Sequence, residues 1–305
     1  MRILVTGGTG LVGENLKQSL PDAYYVSSKD YDLTSYEDTA ALFYYYRPTH
    51  VIHLASKVGG ITYNMKYPVE FFEDNVLMNA NVLNCAHKFK VQNLIGMLST
   101  CIFPDDVTYP LTPDKIHKGE PHHSNFGYAY AKRMLEVQIR TYNKQYGTDW
   151  TTIIPTNIYG KYDQFNLEKS HVIPALIHKM YLNKINNQPL MNMMGTGLAE
   201  REFIYAEDLG KILAWAIENY TTPTPLIVSS ETSYSIKSVA ELISNAIGYE
   251  GQLLFDGDVS KDGQYRKPSD SNVVRTLCPI EYTPLDVGIK NTVEWFVENY
   301  TNCRK

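Results

Sequence analysis

A hydroxyl and a thiol, Ser99 and Cys101, stand two residues apart in the string STCIFP, directly after the apolar run 91–98 that reads as a buried strand. Strand ends in open parallel sheets are where ligands collect, so a serine there can donate a hydrogen bond and an ionised thiol can take a proton. Further on, Tyr128 and Lys132 stand four apart in NFGYAYAKRM. On a helix that spacing puts both on one face, and an ammonium beside a phenol is expected to lower the phenol's pKa until it exchanges protons near neutrality. Tyr-x-x-x-Lys arises readily by chance in a chain with 24 tyrosines, and the neighbouring Tyr130 is consistent with plain packing. The serine at the earlier strand end is what gives the pair weight.

Near the N-terminus, VTGGTGLVG spaces Gly7, Gly10 and Gly13 as G-x-x-G-x-x-G, with Gly8, Thr9, Leu11 and Val12 completing the loop. Glycines let the backbone turn tightly and approach a pyrophosphate, and a helix start offers it N–H groups. By itself the trio is a tight turn of any α/β protein; directly after the first strand of a βαβ pattern it predicts a dinucleotide site. The second strand ends in Val26-Ser27-Ser28-Lys29. Ser28 and Lys29 suit a 2′-phosphate, which favours NADP(H), whereas an acidic residue there would take the ribose hydroxyl of NAD. The other reading leaves Lys29 in solvent and assigns the ribose to Asp30 or Asp32.

These groups need a scaffold. Arg2–Thr6, Ala23–Val26, His50–Leu54, Asn93–Leu98 and Trp150–Pro155 read as strands, Leu11–Leu20 as a helix, and Ala131–Tyr146 as a helical stripe. Their alternation predicts an α/β fold with a parallel sheet covered by helices on both faces. After about Gly160 the pattern loosens into shorter elements between polar loops, expected to form a second lobe, with one regular helix returning within Ile204–Tyr220. A chain of 305 residues suffices for one sizeable core plus a smaller lobe, or for two modest domains. A formal charge of −5 leaves no basic stripe for a nucleic-acid backbone. The start of the chain enters a strand without signal-peptide features, and no apolar stretch approaches the length of a membrane span, which predicts a cytoplasmic protein. Cys85, Cys101, Cys278 and Cys303 have neither pairing nor metal-ligand spacing and are expected as free thiols, with no metal site.

Together, the glycine trio, Ser99 at a later strand end and Tyr128-x-x-x-Lys132 on the next helix resemble the extended short-chain dehydrogenase/reductase family. The strings SKVGGI, STCIFP, NFGYAYAKRM, PTNIYG, SHVIPALIHK, GTG followed by REFIY, and KDGQYRK are similar, over nearly the whole chain, to the branch that epimerises and reduces GDP-4-keto-6-deoxy-D-mannose. The resemblance implies a Rossmann-type doubly wound parallel sheet, residues 1–160 with a return segment near 201–230, that binds NADP. Residues 161–200 and 231–305 would then form a smaller α/β C-terminal substrate lobe.

A 4-keto sugar has acidic C–H bonds at C3 and C5, and inverting either centre requires one group to remove a proton and another to deliver one from the opposite face. The resemblance implies Cys101 as base, with a depressed thiol pKa, and His171 as acid. It further implies that Tyr128 protonates the alkoxide formed at C4, Lys132 holds the nicotinamide ribose and Ser99 hydrogen-bonds the carbonyl. Pro155, Thr156 and Asn157 would run beside the nicotinamide with His171, and Asn157 would also reach the substrate. Lys179 and Arg201 would face the diphosphate of the GDP-sugar, Met194 its guanine or ribose, and Asp262 would be a substrate-side carboxylate. Thr9 stands where some members carry an arginine for the 2′-phosphate, which shifts that role to Ser28 and Lys29. Members pair as homodimers through two long helices, here about Phe71–Phe89 and Tyr128–Tyr146.

Two other functions compete. One is a different nucleotide-sugar epimerase, reductase or dehydratase; Cys101 with His171 speaks against it, since epimerisation at C4 alone needs no second acid/base pair. The other is a non-catalytic NADP-binding sensor, which would have no use for an activated phenol. Taken singly, a cysteine at a strand end and a histidine opening an apolar helix are ordinary structural residues.

Overall fold

Ile3–Thr6 forms β1, all four residues buried, and its alternate positions feed different cores: Leu4 faces one side of the sheet, Ile3 and Val5 the other. The structure is a computed structural model and describes Met1–Lys305. After the glycine loop come α1 (Leu11–Leu16), β2 (Tyr24–Val26), α2 (Tyr36–Tyr46), β3 (His50–His53), α3 (Ile61–Lys66), α4 (Pro68–Lys88), β4 (Asn93–Met97), α5 (Phe126–Tyr146) and β5 (Thr151–Pro155). The chain continues through β6 (Asn157–Tyr159), α6 (Val172–Ile185), β7 (Leu190–Met193), β8 (Glu200–Tyr205), α7 (Ala206–Asn219), β9 (Leu226–Val228), β10 (Ser233–Ser235), α8 (Ile236–Ile247), β11 (Gln252–Phe255), α9 (Asn272–Leu277) and α10 (Leu285–Glu298).

Six parallel strands make the main sheet in the order β2-β1-β3-β4-β5-β9. From β1 the chain moves outward to β2 and then crosses back to β3 on the other side, which makes the end of β1 the topological switch point. α2, α4 and α5 cover one face, where Leu42, Phe43, Leu83 and Leu135 meet Leu4, Val51 and Leu94. α1 and α7 cover the other, where Leu16, Leu209 and Leu213 meet Val5, Ile52 and Ile95. α1 stops short of the helix expected over 11–20, because Ser19 and Leu20 both send their N–H to the Leu16 carbonyl and the chain turns ahead of Pro21.

β8 pairs with β6 in parallel and with β10 antiparallel, while β7 pairs with β11; β9 joins the main sheet beside β5, and α7 packs on its face. Beyond Gly160 the elements are not shorter, contrary to expectation: α6, α8 and α10 run 14, 12 and 14 residues around a third core that includes Phe165, Ile177, Phe203, Ile243 and Phe296. α6 buries residues around much of its circumference, Ile173, Pro174, Leu176, Ile177, His178 and Met180 among them, so its sequence lacks a one-sided stripe. No helix is long and apolar enough to cross a membrane.

Candidate active site

β1 delivers Gly7 to the switch point. Gly7 has φ +69°, and a Cβ there would lie 2.7 Å from the backbone nitrogen of Ala55, just past β3; only glycine meets both constraints. A Cβ at Gly13 would lie 2.6 Å from the backbone of Gly8, so α1 starts flush against the loop. Gly10 N donates to Gly7 O at 3.0 Å and Gly8 N to Val26 O at 2.8 Å. Residues 7–13 thus form a cradle of nearly bare backbone, with Thr9 at its exposed tip.

Past β2, Asp30 Oδ2 accepts from Ser27 N and Oγ, both at 2.8 Å, and Asp32 Oδ1 accepts from Thr34 N and Oγ1 at 2.9 and 2.7 Å. Those hydroxyl and backbone bonds hold both carboxyls below their ordinary range. Both aspartates close local turns, Asp32 included, although it was expected among the cofactor ligands. Ser28 and Lys29 are exposed, with side chains free to meet a 2′-phosphate. Across the cleft, Pro155 ends β5, Thr156 N donates to Val228 O at 3.0 Å and Asn157 Nδ2 to Glu202 O at 2.9 Å. The buried Thr156 Oγ1 has no protein partner. A backbone cradle at the end of β1 and an orphaned hydroxyl at the end of β5 fit a dinucleotide laid across the switch point.

β4 ends at Met97, and a short 3-10 turn, Thr100–Ile102, follows, capped by Ser99, whose Oγ accepts from Cys101 N at 3.4 Å. Arg133 on α5 pins that turn, donating from Nε to Ile102 O at 2.6 Å and from Nη1 to Gly119 O at 2.8 Å. Lys132, almost wholly buried, donates from Nζ to Met97 O at 2.8 Å and lies 5.8 Å from the Tyr128 ring centre. Tyr128 meets Phe71 of α4 edge-on at 6.2 Å, and the Ser56 hydroxyl stands near enough to oppose the rise of the phenol's pKa, a neighbour that sequence reasoning missed. Ser99, Cys101, Tyr128 and Lys132 are therefore assembled at the end of β4.

The expected depressed phenol is not what this environment produces. Burial drives the Tyr128 hydroxyl far above its ordinary value, the Cys101 thiolate adds to the rise, and only Ser56 opposes it. Lys132, itself pulled down to about 8 by burial, spends its nearest bond on a carbonyl. The thiol expected to be depressed is likewise pushed up by burial, opposed by the nearby Ser99 hydroxyl and then by the ammonium groups of Lys267 and Lys132. Desolvation outweighs the charges because Lys132 is buried and Tyr128 and Cys101 are only partly open to solvent, so each ionised form loses much of its water.

Lys267 was also missed, although it closes the KDGQYRK string. Its ammonium acts on Cys101, and burial lowers it to about 8. The loop that carries it is stapled from two sides. Gln264 Nε2 donates to Asp105 Oδ1 at 2.7 Å, and Leu111 N to Pro268 O at 2.8 Å. On β8, Arg201 Nη2 donates to Asp262 O at 3.0 Å, while Glu202 Oε1 accepts from Ser269 N at 3.1 Å and Oε2 from Ser229 Oγ at 2.8 Å. Arg201, expected at the diphosphate, thus spends part of its fork on this loop. Asp262, expected to face the substrate, clasps Thr196 instead, accepting from N at 2.8 Å and from Oγ1 at 2.5 Å. Met194 is exposed beside that loop, and Lys179 is half-buried on α6 with no ion pair. His171 caps α6, and its imidazole makes no hydrogen bond within the protein; the protein mass around it lowers its pKa.

Residues 3–228 match the model of the NAD dependent epimerase/dehydratase family. The chain is 47% identical to a GDP-L-fucose synthase of Dictyostelium discoideum, covering 99% of this chain and 97% of the relative. It is 40% identical to a probable GDP-L-fucose synthase of Drosophila melanogaster, covering 100% and 99%. A crystal structure of a GDP-L-fucose synthetase from Naegleria fowleri bound to NADP is similar with a TM-score of 0.92 at 42% identity, covering 99% of this chain and 94% of that one.

Proposed function

The chain belongs to the NAD dependent epimerase/dehydratase family, and from that premise we propose that it inverts C3 and C5 of GDP-4-keto-6-deoxy-D-mannose and reduces C4, forming GDP-L-fucose. The observation that carries this reading is the placement of Cys101 beside Tyr128 and Lys132 in one cluster, with its charge felt by both. A reductase alone needs the phenol and the ammonium; a thiol at the same point serves the neighbouring carbons.

NADPH, when bound in the glycine cradle, supplies the hydride for C4. Cys101 removes the proton from C3 or C5, helped by Lys267 and Lys132, and His171 returns one from the opposite face. Ser99 steadies the carbonyl oxygen through its hydroxyl, and Tyr128, held protonated by burial, delivers its proton to that oxygen as charge develops. Incubation with NADPH and GDP-4-keto-6-deoxy-D-mannose tests the function. NADPH is expected to be consumed one for one, with product inverted at C3 and C5; inversion at neither centre would reduce the protein to a ketone reductase.

The protein packed around the partly exposed Cys101 pushes its thiol up, and the protein mass near the exposed His171 lowers its imidazole, so thiol and neutral imidazole predominate at neutrality. The reactive combination, thiolate with imidazolium, is then a minority whose fraction is constant between the two pKa values. Inversion should be flat across neutrality, fall in acid below the pKa of His171, and fall in alkali above that of Cys101. In His171→Gln the profile should instead climb with pH. Lys267→Met removes a charge that favours the thiolate. It should lower inversion at neutral pH by about tenfold for each unit the thiol rises, without changing hydride transfer to a supplied ketone.

Cytoplasmic location and a homodimer complete the proposal. Phe72 and Leu77 on α4 and Phe126 and Met134 on α5 are large apolar side chains left exposed on two adjoining helices. Covering them with the same face of a second copy supports a self-complementary interface. Light scattering at micromolar concentration is expected to give twice the chain mass, and a monomeric mass would remove the dimer.

A further inference from the structure

Residues 55–60, joining β3 to α3, have Ser56 near Tyr128 at one end and Gly60 against the residues before His171 at the other. Their first half is tied to α4. Ser56 Oγ donates to Asn75 Oδ1 at 2.6 Å, Lys57 N donates to the same oxygen at 2.9 Å, and Asn75 Nδ2 donates back to Lys57 O at 3.1 Å. Ser56 is also the residue that meets Tyr128. Their second half is held by Asn64, whose Nδ2 donates to Gly59 O at 2.7 Å and Gly60 O at 3.2 Å.

At Gly60 the neighbour is the segment leading into α6. Gly60 N donates to Lys169 O at 3.0 Å, and a Cβ on Gly60 would lie 2.7 Å from the carbonyl oxygen of Ser170. Gly60 has φ −64° and ψ 170°, which alanine adopts freely, so space alone excludes a side chain. The obstructing atom is backbone and cannot rotate aside. Its segment is stiff as well: Asn166 Oδ1 accepts from Glu168 N and Lys169 N at 3.0 and 3.2 Å, and Asn166 O accepts from Ser170 N and Oγ at 3.0 and 2.6 Å. Lys169 Nζ lies 5.6 Å from the Tyr63 ring centre, a second tie between the two segments. The next residue is His171, whose imidazole no hydrogen bond holds, so the backbone before it sets where the ring stands.

We propose that Gly60 is a positioning residue for His171: the side-chain-free contact between Gly60 and the Ser170 carbonyl sets how far the imidazole reaches toward the sugar carbons that Cys101 deprotonates. The proposal rests on the assignment of His171 as proton donor. Adding one methyl group at Gly60 displaces the Ser170 carbonyl, and misplacement of a catalytic group by about 1 Å costs on the order of 10²-fold.

The test is a double-mutant cycle on the NADPH-bound protein with GDP-4-keto-6-deoxy-D-mannose. It follows inversion at C3 and C5, solvent-deuterium exchange at the same carbons, and hydride transfer. Gly60→Ala is expected to lower kcat for inversion about 10- to 100-fold. KM for the GDP-sugar, the affinity for NADPH and the exchange driven by Cys101 should stay within about twofold. In a His171→Gln background the same substitution should cost less than about twofold, because its effect runs through the imidazole. Equal cost in both backgrounds would overturn the proposal and leave the role of His171 standing; unchanged inversion in His171→Gln would overturn the role itself. Lys169→Met, an exposed change that keeps the fold, should lower inversion severalfold and likewise fall silent without His171. If Gly60→Ala fails to fold, the Lys169 cycle decides, and no effect there overturns the proposal.

Discussion

Tyr128→Phe is expected to bind NADPH normally and to transfer hydride to C4 more slowly by on the order of 10²- to 10⁴-fold, the usual worth of a positioned proton donor. Burial fixes the reason. A phenol held far above its ordinary pKa is fully protonated at neutral pH, the state needed to quench an alkoxide, and phenylalanine has no proton to give. Cys101 and His171 are untouched, so deuterium from solvent should still enter C3 and C5. Stability should fall by no more than about 1 kcal/mol, since Ser56 keeps its bond to Asn75. Stopped-flow oxidation of NADPH beside deuterium incorporation by NMR separates the two steps. Oxidation near the wild-type rate would mean that another group protonates C4.

Cys101→Ser should give the opposite pattern. The hydroxyl fits the thiol's place in the 3-10 turn and the backbone bond to Ser99 survives, but a serine hydroxyl does not ionise where even the thiol is pushed up. Exchange and inversion at C3 and C5 should drop on the order of 10²- to 10⁴-fold. Hydride transfer to the uninverted ketone should persist, so the product is reduced without inversion. If both variants lose both steps equally, the division of labour between thiol and phenol is wrong.

What was legible beforehand was local. Gly7 and Gly13 lie within one loop, and Tyr128 and Lys132 within two turns of one helix, so spacing along the chain is already spacing in the molecule. Five strands alternating with helices likewise betray a parallel sheet. The protonation states were not legible, because burial comes from distant segments: Lys132 was expected to act on the phenol and instead serves the Met97 carbonyl. Lys267 escaped notice for the same reason. Nothing in KDGQYRK distinguishes its last lysine from a solvated one until Asp105, Leu111 and Glu202, each far off in sequence, bind the flanking residues. Asp262 was noticed as a charge and proved to be a clasp for Thr196. α6 is legible as an apolar helix opening at His171, but burial around much of its circumference leaves no polar stripe to tell which face packs.

Arg201 and Glu202 occupy consecutive positions of β8, and their side chains hold opposite ends of the segment from Asp262 to Ser269. Transplanting that segment alone into another sugar-processing protein would deliver a lysine with no fixed bearing. A successful graft must bring along a strand offering a guanidinium and a carboxylate side by side, so the heritable unit of this specificity is a loop together with its rail.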